Sequence, residues 1–130
     1  MLVSDLKVDD EYIIVGPDET VQQVAKRLLQ GYYGTALVRA GKEIVGAITM
    51  DIIVAKTVVE AKDPTVACAK DIMDENVVKV NPETDIKNVD QDIRRVRPSA
   101  VVVCDSASGD VLGYVSPLDM MEALQSIVQS

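Results

Sequence analysis

The sequence predicts an α+β fold made of two tandem β-α-β-β-α repeats related by a pseudo-twofold axis. Three observations predict it. Residues 15–29, VGPDETVQQVAKRLL, are echoed by residues 80–94, VNPETDIKNVDQDIR, with Pro17 over Pro82, Val21 over Ile86 and Val24 over Val89. The register holds into two β-rich runs, where Thr35 to Val38 lies over Ala100 to Val103. Further on, Gly46-Ala47-Ile48-Thr49 lies over Gly113-Tyr114-Val115-Ser116, and the small change of offset falls in a turn.

The elements follow in order. Short extended runs open each copy, Tyr12 to Val15 and Val77 to Val80. A Pro and an acidic, Thr-containing stretch then start a helix, because short side-chain acceptors and acids suit a helix N-terminus. The first helix carries Val21, Val24, Ala25, Leu28 and Leu29 on one face, and the second carries Ile86, Val89, Ile93 and Val96. Both have the helical period. A β-hairpin follows, Thr35 to Arg39 with Glu43 to Ile48 and Ala100 to Cys104 with Val111 to Val115, each turn holding a Gly. A last helix begins near Met50 in one copy and near Pro117 in the other. Residues 1–62 form the first repeat and residues 63–130 the second. A unit of this size is marginal alone, so the two copies are expected to share a core. Thr65 to Met73 is expected to be a short helix leading into the second copy. The helix from Ile52 to Ala61 has only Lys56, Thr57 and Glu60 as polar residues. A helix apolar nearly all round must be covered on most sides. The second repeat explains part of that cover, and a second chain the rest.

Composition removes several functions. The chain has 130 residues and a net charge of −8, so it lacks the basic excess that binds nucleic acid or an anionic membrane surface. Residues 1–20 hold six acids and one Lys, which reads as a solvated surface. There is no His, which removes a Ser-His-Asp triad and His-based metal chemistry. No apolar run approaches the ~20 residues of a membrane span. The N-terminus is too acidic for a signal peptide. Cys68 and Cys104 are expected to be buried, reduced thiols in a cytoplasmic protein.

The runs Ala69 to Thr84 and Val3 to Val15 resemble the opening of a cystathionine-β-synthase (CBS) domain. The hairpin ends, Gly46-Ala47-Ile48-Thr49 and Gly113-Tyr114-Val115-Ser116-Pro117-Leu118-Asp119, resemble that family's Gly-h-h-Ser/Thr-x-x-Asp motif. The resemblance covers essentially the whole chain as a tandem pair, a Bateman module. It implies a regulatory, non-catalytic module that dimerises through its helices. It also implies adenosyl ligands, namely AMP, ADP, ATP or S-adenosylmethionine, held in clefts between the repeats as regulatory ligands and not as tightly bound cofactors. No metal is implied.

Ser116-Pro117-Leu118-Asp119 has two readings that can coexist. One is a helix cap, with Ser at N-cap, Pro at N1 and an acid at N3. The other adds a ligand, with Asp119 accepting ribose hydroxyls and Ser116 facing phosphate at the helix start. Arg94, Arg95 and Arg97 form the only basic cluster. It is either a solvated helix end or, at Arg97, a phosphate contact. The predicted site is a cleft lined by Val78, Arg97, Ser116 and Asp119, with a weaker second site at Ile14, Thr49 and Asp51. Thr49-Met50-Asp51 is one residue shorter than the motif, a rotation of about 100° around the helix. Tyr32 and Tyr33 stand where Arg97 and Pro98 stand in the other copy and suit interface packing. The leading function is a nucleotide-binding regulator of an unidentified protein. The alternative is a structural homodimeric module without ligand. No nucleophile, base or metal cluster supports an enzyme.

Overall fold

The structure is a computed structural model that describes residues 1–129; Ser130, the last residue of the second repeat, lies outside the described residues. The first repeat runs β1 (Tyr12–Val15), α1 (Val21–Gly31), β2 (Thr35–Ala40), β3 (Glu43–Thr49) and α2 (Met50–Val54). A short α3 (Ala69–Ile72) leads into β4 (Val77–Val80), α4 (Ile86–Val96), β5 (Ala100–Cys104), β6 (Val111–Val115) and α5 (Pro117–Gln129). Each repeat builds a three-stranded sheet, β1-β2-β3 and β4-β5-β6, with one parallel and one antiparallel pairing. Tyr12 pairs with Thr35 as Val77 pairs with Ala100. The sheets carry matching irregularities at Val38/Arg39 and Val103/Cys104. These are the two β-α-β-β-α repeats about a pseudo-twofold axis.

Local chemistry starts and stops the helices. Thr20 Oγ1 accepts from Gln23 N at 3.2 Å while Gln23 Oε1 accepts from Thr20 N at 2.9 Å, a capping box. Asp85 caps α4 by accepting from Lys87 N at 2.9 Å. Both α1 and α4 end on a non-glycine residue in the left-handed region, Tyr32 (φ 55°) and Arg97 (φ 51°). A cap of that geometry costs roughly 1–2 kcal/mol for a residue with a Cβ. It turns the chain sharply into the following strand.

Three apolar clusters hold the fold. Val21, Val24 and Leu28 of α1 pack with Ile48 and Ile53, and Ile86 and Val89 of α4 pack with Val115 and Met120. The third cluster lies between the sheets and joins Leu37, Ile44 and Ala47 to Ala100, Val102 and Tyr114. The expected shared core is this one. Leu29, expected on the buried face of α1, is exposed, because one sheet covers only the stripe through Val21, Val24 and Leu28. Both thiols are half-buried, short of the full burial expected, and burial pushes the Cys104 thiol up.

The segments that precede the repeats are exchanged. Val3 is fully buried in the second repeat's cluster, with Leu6 and Val8 packed beside it. Ala69, Ile72 and Met73 join the first repeat's cluster. Backbone bonds repeat in both directions. Val3 N donates to Thr84 O at 2.9 Å and Ile86 N to Met1 O at 2.9 Å; Ala69 N donates to Glu19 O at 2.8 Å and Val21 N to Ala67 O at 2.9 Å. Each exchanged segment crosses a glycine. A Cβ on Gly113 would stand 2.1 Å from Val8 O, and one on Gly46 would stand 2.7 Å from Met73 Sδ. At Gly113 the neighbour is backbone, so only glycine permits that approach, whereas at Gly46 the Met73 side chain would have to shift.

The apolar segment from Ile52 to Ala61 is not one helix. After α2 the chain winds into a π-turn over Ala55–Val59, with Glu60 N bonding Ala55 O at 3.0 Å. Ile53 is buried, but Val58 and Val59 are 74% and 77% exposed. The second repeat leaves them uncovered. The helix expected over Thr65 to Met73 shortens to α3, because residues 64–66 turn around the Asp63 carboxylate, which accepts from Thr65 N and Oγ1.

Candidate functional site

The start of β5, the end of β6 and the start of α5 enclose a cleft of about 270 Å³. Its wall includes Pro98, Ser99, Ala100 and Val101, then Tyr114 to Pro117, with Asp90 and Ile93 from α4 and Met120 from α5. A second compartment of about 230 Å³ adjoins it, lined by Glu11, Tyr32 and Gly34 of the first repeat and by Tyr114, Ser116, Pro117 and Leu118. The two share Tyr114, Ser116 and Pro117, so this is a cleft between the repeats.

Ser116 is buried at the mouth of α5. Its N–H donates to Asp119 Oδ2 at 3.0 Å, and its Oγ accepts from Asp119 N at 3.0 Å. The predicted cap is therefore complete. Asp119 Oδ1 has no partner among the described residues, and Asp119 itself lines neither compartment. Tyr114 sits on the dividing wall. Its hydroxyl accepts from Thr35 Oγ1 of the first repeat at 3.0 Å, and its ring stacks obliquely on Tyr12 at 6.2 Å. Burial chiefly pushes the Tyr114 phenol up; the Thr35 hydrogen bond opposes this, and the charges of Glu11 and Asp119 add to it.

The loop on the other side is pinned from the inter-repeat segment. Ser99 Oγ donates to Asp74 Oδ2, and Asn76 N to Asp74 Oδ1 at 2.9 Å. Asn76 Nδ2 donates to the Val96 and Arg97 carbonyls at 3.0 and 3.2 Å. The Ser99 hydroxyl first, and the Asn76 N–H second, hold the Asp74 carboxyl below the usual carboxylate range. Asp74 also pairs with Ala47 of β3 through both backbone groups. One residue thus joins the first repeat's sheet to the cleft loop.

The other predicted residues are dispersed. Val78 packs against the second repeat's cluster and does not line the cleft. Arg97, in its left-handed cap, is exposed and lines neither compartment, although Pro98 and Ser99 directly after it do. Arg94 and Arg95 pair with Asp90 and Asp92, each at 3.0 Å. Tyr32, the counterpart of Arg97, is the residue that stands against Ser116 to Leu118. Ile14 packs against the inter-sheet cluster, and its carbonyl accepts from Arg27 Nη2 at 2.9 Å. Thr49 Oγ1 donates to Asp51 Oδ1, and Thr49 makes no cap to α2, so the shortened motif closes on itself and Asp51 stays exposed. Sequence reasoning missed Glu11, Tyr114 and Ser99. Tyr114 stood inside the quoted motif, but Glu11 and Ser99 carry no local signal. No group of side chains among the described residues could hold a metal ion.

Fold and cleft define a class, the paired-repeat modules that form a cleft between two copies of one unit. The chain belongs to the CBS domain family, whose profile matches residues 3–57 and again 69–126. Solved structures agree over nearly the whole chain. The CBS domain protein PAE2072 from Pyrobaculum aerophilum, complexed with AMP, has TM-score 0.80 at 20% identity and covers 100% of both chains. The CBS domain pair of protein MJ0100, in complex with 5′-methylthioadenosine and S-adenosyl-L-methionine, has TM-score 0.81 at 22% identity over 98% of each chain. The CBS-domain protein ATU1752 from Agrobacterium tumefaciens has TM-score 0.78 at 22% identity, covering 95% of this chain and 98% of that one. At these identities the likeness speaks for the fold. No curated relative matches the chain. No helix among the described residues is long and apolar enough to cross a membrane.

Proposed function

We propose that this chain is a non-catalytic regulatory module of the cytoplasm that binds an adenosyl ligand in the Ser116–Asp119 cleft and signals to a partner protein. AMP, ADP, ATP and S-adenosylmethionine are the candidates. The observation that carries this reading is the two-compartment cleft at the start of α5, lined by Ser116, beside which Asp119 keeps one oxygen unpaired without itself lining either compartment. The adenosyl complexes of the PAE2072 and MJ0100 pairs support it. A thermal-shift screen against the four ligands tests it. A ligand at 100 times its Kd stabilises by about 2.7 kcal/mol. Asp119→Ala is expected to weaken the ligand more than tenfold, since hydrogen bonds to a charged acceptor contribute roughly 1.5–3 kcal/mol. It also removes half of the cap and lowers the melting temperature without ligand. A lowered melting temperature with unchanged affinity would leave Asp119 as a cap alone.

The alternative, a structural homodimeric module, draws on the exposed apolar residues. Met50, Val54 and Val58 form one stripe and Leu118, Met121 and Val128 another on α5. Dimerisation is compatible with either reading. Light scattering at micromolar concentration is expected to give twice the monomer mass, with an interface on the order of 1,200–2,000 Å². A particle of monomer mass would remove the dimer.

A further inference from the structure

We infer that the Glu11–Tyr32 compartment selects an adenosine ligand whose 5′ substituent is positively charged, a sulfonium or an ammonium, over one that carries a 5′-phosphate. The inference rests on the adenosyl reading of the cleft and narrows it.

Three observations carry it. First, the lining of the two compartments contains the carboxylates of Glu11 and Asp90 and neither Lys nor Arg. Asp90 is neutralised by Arg94 at 3.0 Å. Glu11 has no ion-pair partner among the described residues. A phosphate placed there meets a like charge with no cation to offset it, and like charges repel at short range.

Second, most of the helix start that would ordinarily hold a phosphate is already used, and Leu118 N–H is the one donor left. Pro117 has no N–H to give. Asp119 N donates to Ser116 Oγ at 3.0 Å, and Met120 N donates to Ser116 O at 3.1 Å. The Asp119 carboxylate sits on Ser116 N and supplies the negative charge that the dipole favours.

Third, the compartment offers what a cation wants. The phenol of Tyr114 and the ring of Tyr32 line it beside Glu11. Tyrosine faces attract cations, and a carboxylate adds to them. Tyr32 stands where the second repeat has Arg97, so the pseudo-twofold exchanges an aromatic for a cation at this wall. Gly34 leaves open space there, with no atom within 4 Å of a Cβ built on it. The adenosine would occupy the apolar compartment of Val101, Ile93 and Met120, and its 5′ end would pass Tyr114 into the acidic one.

Calorimetry with three analogues that differ only at the 5′ position tests this: 5′-amino-5′-deoxyadenosine (cationic), 5′-methylthioadenosine (neutral) and AMP (anionic). The ammonium ligand is expected to bind tightest and AMP weakest, with about tenfold or more between them, the scale of one cation–π contact and one partly exposed ion pair together. Glu11→Gln is expected to weaken the ammonium ligand about fivefold while leaving 5′-methylthioadenosine within twofold. Raising salt on the unmodified chain should weaken the ammonium ligand and spare the neutral one, because salt screens exposed charges. AMP binding as tightly as the ammonium ligand overturns the inference and leaves the adenosyl reading standing. So does a Glu11→Gln variant that loses the neutral ligand equally, or an ammonium affinity that salt does not change. If none of the three binds, the adenosyl reading falls and this inference with it.

Discussion

Deleting residues 1–8 is expected to destabilise the chain by on the order of 5 kcal/mol, a large share of the 5–15 kcal/mol typical of a domain. The removed segment opens the first repeat in sequence but belongs to the second repeat's core. Val3 is fully buried there, and burying one valine contributes roughly 1.5–3 kcal/mol. Leu6 and Val8 add partial burial. Val3 N to Thr84 O, Ser4 N to Pro82 O and Tyr114 N to Val8 O are lost, at about 1 kcal/mol each. Denaturant titration of both chains measures the loss. A truncated chain with an unchanged midpoint would show that the segment is ornamental. Gly113→Ala tests the same docking in the full-length chain, since its methyl would stand 2.1 Å from Val8 O. It should reproduce part of the loss, about 1–3 kcal/mol for overpacking.

Leu37→Ala is expected to cost about 2–5 kcal/mol and to lower the stability of both repeats together. Leu37 is fully buried between the two sheets, where it meets residues of the second repeat. The cavity left by the lost atoms therefore faces both halves. Unfolding should remain one cooperative transition with a lower midpoint. Two resolved transitions, only one of them shifted, would mean that the repeats are independent and the inter-sheet cluster is a weak contact.

The repeat was legible because its signals are local. Pro17 and Pro82 mark helix starts, α1 and α4 keep an apolar face at the helical period, and the glycine turns mark hairpins. The same order of elements twice leaves few topologies open. The exchange of Val3 and Ala69 was not legible, because which neighbour a short apolar segment chooses is a long-range packing decision. The site divided along the same line. Ser116 and Asp119 are three residues apart on one helix start, so spacing alone brings them together, and the structure shows them bonded to each other. Arg97 and Val78 depend on where a cap and a strand face point, and neither of them lines the cleft. Glu11 and Tyr32 reach the cleft from the other repeat, which no spacing within the second repeat could reveal.

The two exchanged segments form a closed circuit. The first copy gives its leading segment to the second, and the second gives its own to the first, so nothing is left to donate or receive. Two is the smallest number of copies for which this accounting closes. The first repeat taken alone, residues 1–62, would keep the receiving glycine at Gly46 but would have neither Met73-Asp74 to fill it nor Gly113 to receive its own leading segment. With both receptors filled inside the molecule, neither segment has to reach into another chain, the route by which swapped elements become open-ended assemblies.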